Sequence, residues 1–269
     1  MIDNYFSLKN KTAIVTGALG LLGMQHCLAL KEAGASVIVC DRDELKCKIF
    51  ASELGHNSIG VGVDITDYAS VKNLLKTAKA HFNTIDILVN NAAINDKFED
   101  ADKAVELSKF ENYPLELWEA SLKVNITGMF ICCQIIGREM ADKKSGSIIN
   151  IASTYGIVAP DQSLYKDHDG IQHFYKTAAY PVTKGAVISF TKFLASYWGN
   201  KGVRVNALSP GGVENFQDRF FIENYSGRTP LGRMAKSSDY KGSLIFLASE
   251  ASNYMTGANL VVDGGYTIW

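Results

Sequence analysis

Residues 12–23 read Thr-Ala-Ile-Val-Thr-Gly-Ala-Leu-Gly-Leu-Leu-Gly, a five-residue strand-forming run that enters three glycines and then a helical pattern. Glycine at positions 17, 20 and 23 lets the chain turn tightly, lets the backbone approach a diphosphate, and lets the following helix pack close on a sheet. A strand-to-helix turn also needs glycine for purely conformational reasons. Context favours the binding reading: an acid, Asp41, follows the next apolar run 18 positions past Gly23. A carboxylate there accepts hydrogen bonds from ribose hydroxyls and repels a 2′-phosphate. Arg42 beside it would favour that phosphate, whereas Ala18 and Leu19 bring no positive charge into the turn. The expected cofactor is therefore NAD rather than NADP, gripped by Gly17, Gly20, Leu21, Leu22 and Gly23 of the turn and by Asp41 with Arg42.

Working outward, β-branched runs recur at 12–16, 36–40, 59–63, 85–89, 147–152, 203–208 and 259–262. Between them lie amphipathic stretches at 21–33, 43–54, 68–82, 115–140, 179–198 and 239–247, each long enough for a crossover helix. Strand and helix in steady alternation predict an α/β fold, a seven-stranded parallel, doubly wound sheet with helices on both faces. No linker, repeat or low-complexity segment interrupts it, so residues 1–269 read as one domain. Two stretches lack a clean period, 95–114 and 160–178, and a long loop at a sheet's C-terminal edge is usually functional.

Composition excludes other classes. The chain of 269 residues is 47% hydrophobic and 20% charged with a net charge of −1, so no global field draws it to nucleic acid or an anionic membrane. Five cysteines, Cys27, Cys40, Cys47, Cys132 and Cys133, form neither a C-x-x-C pair nor zinc-ligand spacing, which points to a reducing cytoplasm. The first residues lack a signal peptide's apolar core, and the densest apolar run, near Met129–Ile136, reads as too short to span a bilayer.

Tyr180 and Lys184 fall four apart near a helix start and so share one face. A phenol titrating near 10 is a poor acid-base group at neutral pH, and lowering it by about 3 units takes roughly 4 kcal/mol. A neighbouring ammonium and a positive nicotinamide would supply that. Alone, such a pair is common on exposed helices. It does not stand alone. The glycine turn, Asn90-Asn91-Ala92-Ala93, Lys123-Val124-Asn125, Asn150-Ile151-Ala152-Ser153, Tyr180-Pro181-Val182-Thr183-Lys184, Ser209-Pro210-Gly211-Gly212 and Val262-Asp263-Gly264-Gly265 together resemble, in order and over essentially the whole chain, the short-chain dehydrogenase/reductase family.

The resemblance implies a single NAD(P)-binding Rossmann-type domain with a catalytic tetrad of Asn125, Ser153, Tyr180 and Lys184. Tyr180 exchanges the proton with the substrate oxygen, Ser153 polarises that oxygen, Lys184 lowers the Tyr180 pKa and holds the nicotinamide ribose, and Asn125 anchors a water leading to Lys184. An Asn that caps backbone groups and a Ser that simply ends its strand are the plainer readings of those two. Further implied cofactor contacts are Asp64 and Ile65 at the adenine, Asn91, Ala92 and Ala93 after the fourth strand, and Pro210, Gly211 and Val213 at the nicotinamide, with the Val213 backbone on the carboxamide.

The chain also departs from the family. Its turn is G-x-x-G-x-x-G instead of G-x-x-x-G-x-G, Ala93 replaces a usual glycine, Asn215 stands where a threonine often contacts the carboxamide, and Pro181 follows the tyrosine. Most visibly, 27 positions separate Ser153 from Tyr180, longer than the family's usual spacing. Within this insert Tyr165, Lys166, His168, His173, Tyr175 and Lys176 suit hydroxyls or a phosphate better than an acyl chain, and with a lid at about 213–235 they would border the substrate. An oligomer contact or a solvated flap is the plainer reading of the insert, and His168 with His173 make no metal site without clustered carboxylates. The insert and the motifs around it also resemble a subgroup associated with flagellin modification and nonulosonic-acid pathways.

The expectation is thus a cytoplasmic NAD-dependent oxidoreductase acting on a small polar, carbohydrate-like alcohol or carbonyl. An NADPH-dependent 3-oxoacyl-carrier-protein reductase is the rival enzyme, and a non-catalytic dinucleotide sensor the rival from another class. The resemblance further implies a homodimer or homotetramer built on the helices at 115–140 and 179–198, with Phe130, Ile131, Phe190 and Phe193 as candidate contacts.

Overall fold

A computed structural model describes residues 3–96 and 101–269; of the aperiodic stretch 95–114, residues 97–100 lie outside the described residues. Seven strands form one sheet: β1 (Thr12–Thr16), β2 (Ser36–Asp41), β3 (Ser58–Gly62), β4 (Ile87–Asn90), β5 (Gly146–Ile151), β6 (Val203–Pro210) and β7 (Asn259–Val262). They lie in the order β3-β2-β1-β4-β5-β6-β7, and every neighbouring pair is parallel. The crossover helices are α1 (Leu21–Glu32), α2 (Glu44–Leu54), α3 (Tyr68–His81), α4 (Leu115–Asp142) and α5 (Ala179–Trp198). Two more follow: α6 (Arg219–Arg228), inside the expected lid, and α7 (Lys241–Ala248), which starts two residues later than the sequence pattern implied because a 3₁₀ turn, Ser237–Tyr240, precedes it.

Strand residues alternate between two hydrophobic layers because successive side chains leave opposite faces of a strand. On β1, Ile14 joins the layer under α3, α4 and α5, with Val71, Ile136 and Leu194. Its neighbours Ala13 and Val15 join the layer under α1, α2 and α7, with Leu30, Cys47 and Leu244. All five cysteines are free and buried, and burial pushes their thiols up, which makes them unreactive packing residues.

Helix α4 is one continuous element of 28 residues and, by length and composition alone, is apolar enough to cross a membrane. That differs from the short apolar run read in the sequence. Its apolar side is spent inside the protein: Ile131, Cys132, Cys133, Ile135, Ile136 and Met140 are all buried in the core beside α5. Ile131 is thus a core residue and not an interface candidate. Phe130 and Phe193, in contrast, are exposed.

Candidate active site

A doubly wound sheet opens a crevice at the carboxyl ends of its strands where the strand order reverses, here between β1 and β4. Two cavities meet there. One, of about 430 Å³, is walled by Gly17, Gly20, Leu21, Asp41, Arg42, Asp64, Ile65 and Ala92. The other, of about 650 Å³, is walled by Ser153, Tyr180, Lys184, Pro210, Gly211 and Val213. Leu22, Asn91, Ala93 and Ile94 belong to both, so the cavities form one cleft of dinucleotide-plus-substrate size.

The glycine turn is built for close approach. Gly17 has φ +62°, and a Cβ on it would lie 2.6 Å from Ala92 Cα. A Cβ on Gly23 would lie 2.1 Å from the Gly17 carbonyl oxygen, so Gly23 closes the turn from behind and lines neither cavity. Asn91 locks the turn from β4: its Nδ2 donates to the carbonyls of Thr16 at 3.1 Å and Gly17 at 2.8 Å. Helix α1 starts with Gly20 at its cap, no side-chain cap and no acid in the first turn. Its free N–H groups and positive end therefore face the cleft and suit a diphosphate.

At the other end of that cavity Asp41 closes β2, with Oδ2 accepting from the Leu19 N–H at 3.1 Å and Oδ1 from the Arg42 N–H at 2.8 Å. This ties the acid to the turn. Asp64 lies two residues past β3, and its Oδ1 accepts from the Thr66 N–H at 2.8 Å and hydroxyl at 2.7 Å, which hold its carboxyl below the usual range. Ala93 takes a negative φ, so its extra methyl is accommodated.

Tyr180 and Lys184 occupy the first turns of α5, and Pro181 sits in the first turn, where a missing N–H costs nothing. Ser153, two residues past β5, shares the cavity wall with Tyr180 and favours its charged form. Lys184 is buried; its Nζ donates to the Ile151 carbonyl at 2.7 Å and lies 5.6 Å from the Tyr180 ring centroid. Burial pulls the Lys184 ammonium down to about 8. The Tyr180 phenol, contrary to the sequence expectation, is pushed up: burial outweighs the favourable influence of Ser153, and the Lys184 charge is directed at a main-chain carbonyl.

Asn125 lies in a wide π-type turn of α4, Lys123–Gly128, of the kind that recurs at functional sites. Its Oδ1 accepts from the Ile94 N–H at 2.8 Å, and its Nδ2 donates to the Ile94 carbonyl at 3.0 Å and to Thr183 Oγ1 at 3.2 Å. The capping role is thus realised: Asn125 clamps the loop after β4 to α5, and it lines neither cavity. The Val213 carbonyl is engaged by Gln217 Nε2 at 2.8 Å, and the Asn215 N–H donates to Gln217 Oε1 at 2.6 Å.

The insert folds into a 3₁₀ turn, Gln162–Tyr165, and a small antiparallel bridge between Lys166 and Gln172. It docks on α6: Tyr165 meets Phe221 at 5.1 Å between ring centroids, His173 meets Phe220 at 5.3 Å, and His168 Nε2 lies 3.3 Å from Glu223. Of its polar residues Tyr165, His173 and Lys176 reach the larger cavity, while Lys166, His168 and Tyr175 do not. Both histidines carry carboxylate partners, His173 with Asp167 at 2.7 Å, and among the described residues no cluster of potential metal ligands exists. The sequence reading missed how aromatic this wall is, with Tyr155, Phe174, Phe216, Phe220, Phe221 and Tyr225. The run Phe216–Phe221 was its signal; exposed Phe216, at φ 60°, is strained over the mouth.

A diphosphate cradle beside a Tyr/Lys/Ser cluster, at the switch point of a parallel sheet, is the site of a dinucleotide-dependent oxidoreductase. The chain belongs to the short-chain dehydrogenase/reductase family, and the family described as enoyl-(acyl carrier protein) reductase matches residues 17–267. D-threitol dehydrogenase of Mycolicibacterium smegmatis is 33% identical over 99% of this chain and 96% of its own length. NAD-dependent glycerol dehydrogenase of Listeria innocua is 31% identical over 99% and 97%. A crystal structure of gluconate 5-dehydrogenase from Burkholderia cenocepacia, in complex with NADP and tartrate, aligns over 100% of both chains with a TM-score of 0.87 and 30% identity. This chain is accordingly a dehydrogenase of that family, acting on CH–OH groups with a nicotinamide dinucleotide.

Proposed function

We propose that this chain oxidises a secondary hydroxyl of a sugar-like, polyhydroxylated substrate, or reduces the matching ketone, with NAD in preference to NADP. The wall of the larger cavity carries the reading: Ser153, Tyr180 and Lys184 share it with Asn95, Asp96 and Lys176, a concentration of polar groups suited to substrate hydroxyls and not to an acyl chain. The named relatives' polyol and sugar-acid substrates support it.

The bound cofactor supplies the hydride acceptor. On oxidation Tyr180 takes the substrate's hydroxyl proton while Ser153 holds the substrate oxygen. Lys184, held on the Ile151 carbonyl beside the Tyr180 ring, would hold the nicotinamide ribose of a bound cofactor; Asn125 acts through Ile94 and Thr183 to fix the geometry. Asp41, tied to the turn through Leu19, favours an unphosphorylated ribose and with it NAD. Residues 160–178 and 213–235 form the substrate border of a single domain. Unpaired buried thiols fit a cytoplasmic setting. Phe130, Phe190, Phe193 and Tyr197 form an aromatic stripe along α4 and α5 suited to a second copy of the chain, in a dimer or tetramer.

Steady-state kinetics with NAD and NADP over polyols, sugar acids, hydrophobic secondary alcohols and acyl thioesters test this. Turnover of polyhydroxylated substrates with NAD is expected, with Tyr180→Phe losing roughly 10²–10⁴ in kcat yet still binding cofactor. Turnover confined to acyl thioesters or hydrophobic alcohols, or an active Tyr180→Phe enzyme, overturns it.

A further inference from the structure

The insert places one cation over the reacting centre. Lys176 Nζ sits 4.3 Å from the centroid of the Tyr180 ring and donates to Asn95 Oδ1 at 2.6 Å, inside the wall of the larger cavity. It is held there from behind. The side-chain amide of Gln162 brackets the Lys176 backbone, accepting from its N–H at 2.8 Å and donating to its carbonyl at 3.0 Å. Gln162 is held in turn, its carbonyl accepting from Gln172 Nε2 at 2.8 Å.

Among the described residues no carboxylate lies within ion-pair distance of Lys176. Asp96, next to its partner Asn95, is occupied by hydroxyls: Tyr113 donates to it at 2.7 Å, Ser121 at 3.4 Å, and Thr177 as well. The ammonium is half-buried, and burial pulls it down to about 8 against the nearby Asp96 charge, which favours it. A half-buried cation with no carboxylate in direct ion-pair contact gains by pairing with an anionic ligand.

We propose that Lys176 is a specificity-determining residue that binds a carboxylate of the substrate, making the preferred substrate a sugar acid and not a neutral polyol. This rests on the sugar-like reading above and narrows it. Among the described residues the cavity wall contains no arginine, Lys184 is committed to Ile151, and His173 to Asp167. One available positive charge among the described residues, with Asp96 and Asp218 also in the wall, matches a carboxylate monoanion better than a phosphate dianion.

Kinetics of the full-length enzyme with an aldonate, the matching alditol and the matching sugar phosphate test it. The wild type is expected to show higher kcat/KM for the aldonate than for either other substrate. Lys176→Met is expected to lower the aldonate-over-alditol ratio by roughly tenfold to a hundredfold, mainly through KM, the worth of a charge-assisted hydrogen bond. Lys176→Arg, which keeps the charge, is expected to retain most of the ratio. Gln162→Leu, which only loosens the Lys176 backbone, is expected to lower it less than Lys176→Met.

A wild type that prefers the alditol or the phosphate, or a Lys176→Met enzyme with an unchanged ratio, overturns the assignment and leaves the sugar-like reading standing. Failure to turn over any of the three, with hydrophobic alcohols oxidised, overturns that broader reading instead.

Discussion

His26 gives a pH dependence that can be worked out from its surroundings. It lies on α1, the helix that carries the diphosphate turn, fully buried, and neither ring nitrogen has a hydrogen-bond partner. Burial pulls its pKa from 6.5 to about 4, so the fold holds the neutral ring while the unfolded chain binds the proton more readily. The contribution is fully present above the unfolded value and is lost as pH falls from there toward the folded one. At about 1.36 kcal/mol per unit the whole window spans roughly 3 kcal/mol, of which about 2 kcal/mol is gone by pH 5. Thermal unfolding of wild type and His26→Leu, at one protein concentration, isolates this from the carboxylates that titrate in both. Between about pH 7.5 and about pH 5 the wild type is expected to lose about 4–8 °C more in Tm than the variant. At the higher pH His26→Leu is expected to be at least as stable, since it removes a buried polar ring without partners. Equal pH slopes in the two proteins would refute the reasoning.

Three further outcomes follow from other contacts. Asp41→Asn keeps an acceptor for the Leu19 N–H but removes the charge, so the NADP-to-NAD ratio of kcat/KM is expected to rise about tenfold or more; an unchanged ratio shows that Asp41 does not set the preference. Gly17→Ala places a methyl against Ala92 at positive φ, and a loss of roughly 2 kcal/mol or more in stability is expected together with a raised cofactor KM, checked by Tm and kinetics. Phe193→Glu puts a charge into the exposed stripe beside Phe190 and Tyr197, and if the proposed assembly forms there sedimentation is expected to show a smaller mass than the wild type; an unchanged mass overturns the stripe as an interface.

Legibility in the sequence followed the range of the interactions. Strands and crossover helices announce themselves through periodicity over a few residues, Gly17 and Asp41 sit at strand ends, and Tyr180 and Lys184 fall four apart at a helix start, so the sheet and the elements bordering the cleft were readable. What Gly23 and Asn125 contact was not readable, and neither lines either cavity, because a motif does not say which side of a turn a residue faces. The direction of the Tyr180 shift was not readable either. It depends on burial by distant segments and on which acceptor Lys184 selects, neither of which is a property of a five-residue motif.

The substrate half was illegible for the same reason. Nothing periodic in residues 160–178 says that they fold onto α6, since what holds them is contact across some 60 positions, such as Asn224 Nδ2 donating to the Lys166 carbonyl at 3.1 Å with a sequence separation of 58. The lid contributes Tyr225 and Met234, the insert Leu164, and the C-terminal segment Tyr266 to one hydrophobic cluster, with Tyr225 and Tyr266 stacked at 4.6 Å. Insert, lid and C-terminal segment therefore share a small core separate from the two layers of the sheet. Because packed clusters rearrange as units, Tyr266→Ala is expected to reach Lys176 through Leu164 and Gln162 and to raise substrate KM in steady-state kinetics, and an unchanged substrate KM would show that the cluster does not support the substrate wall.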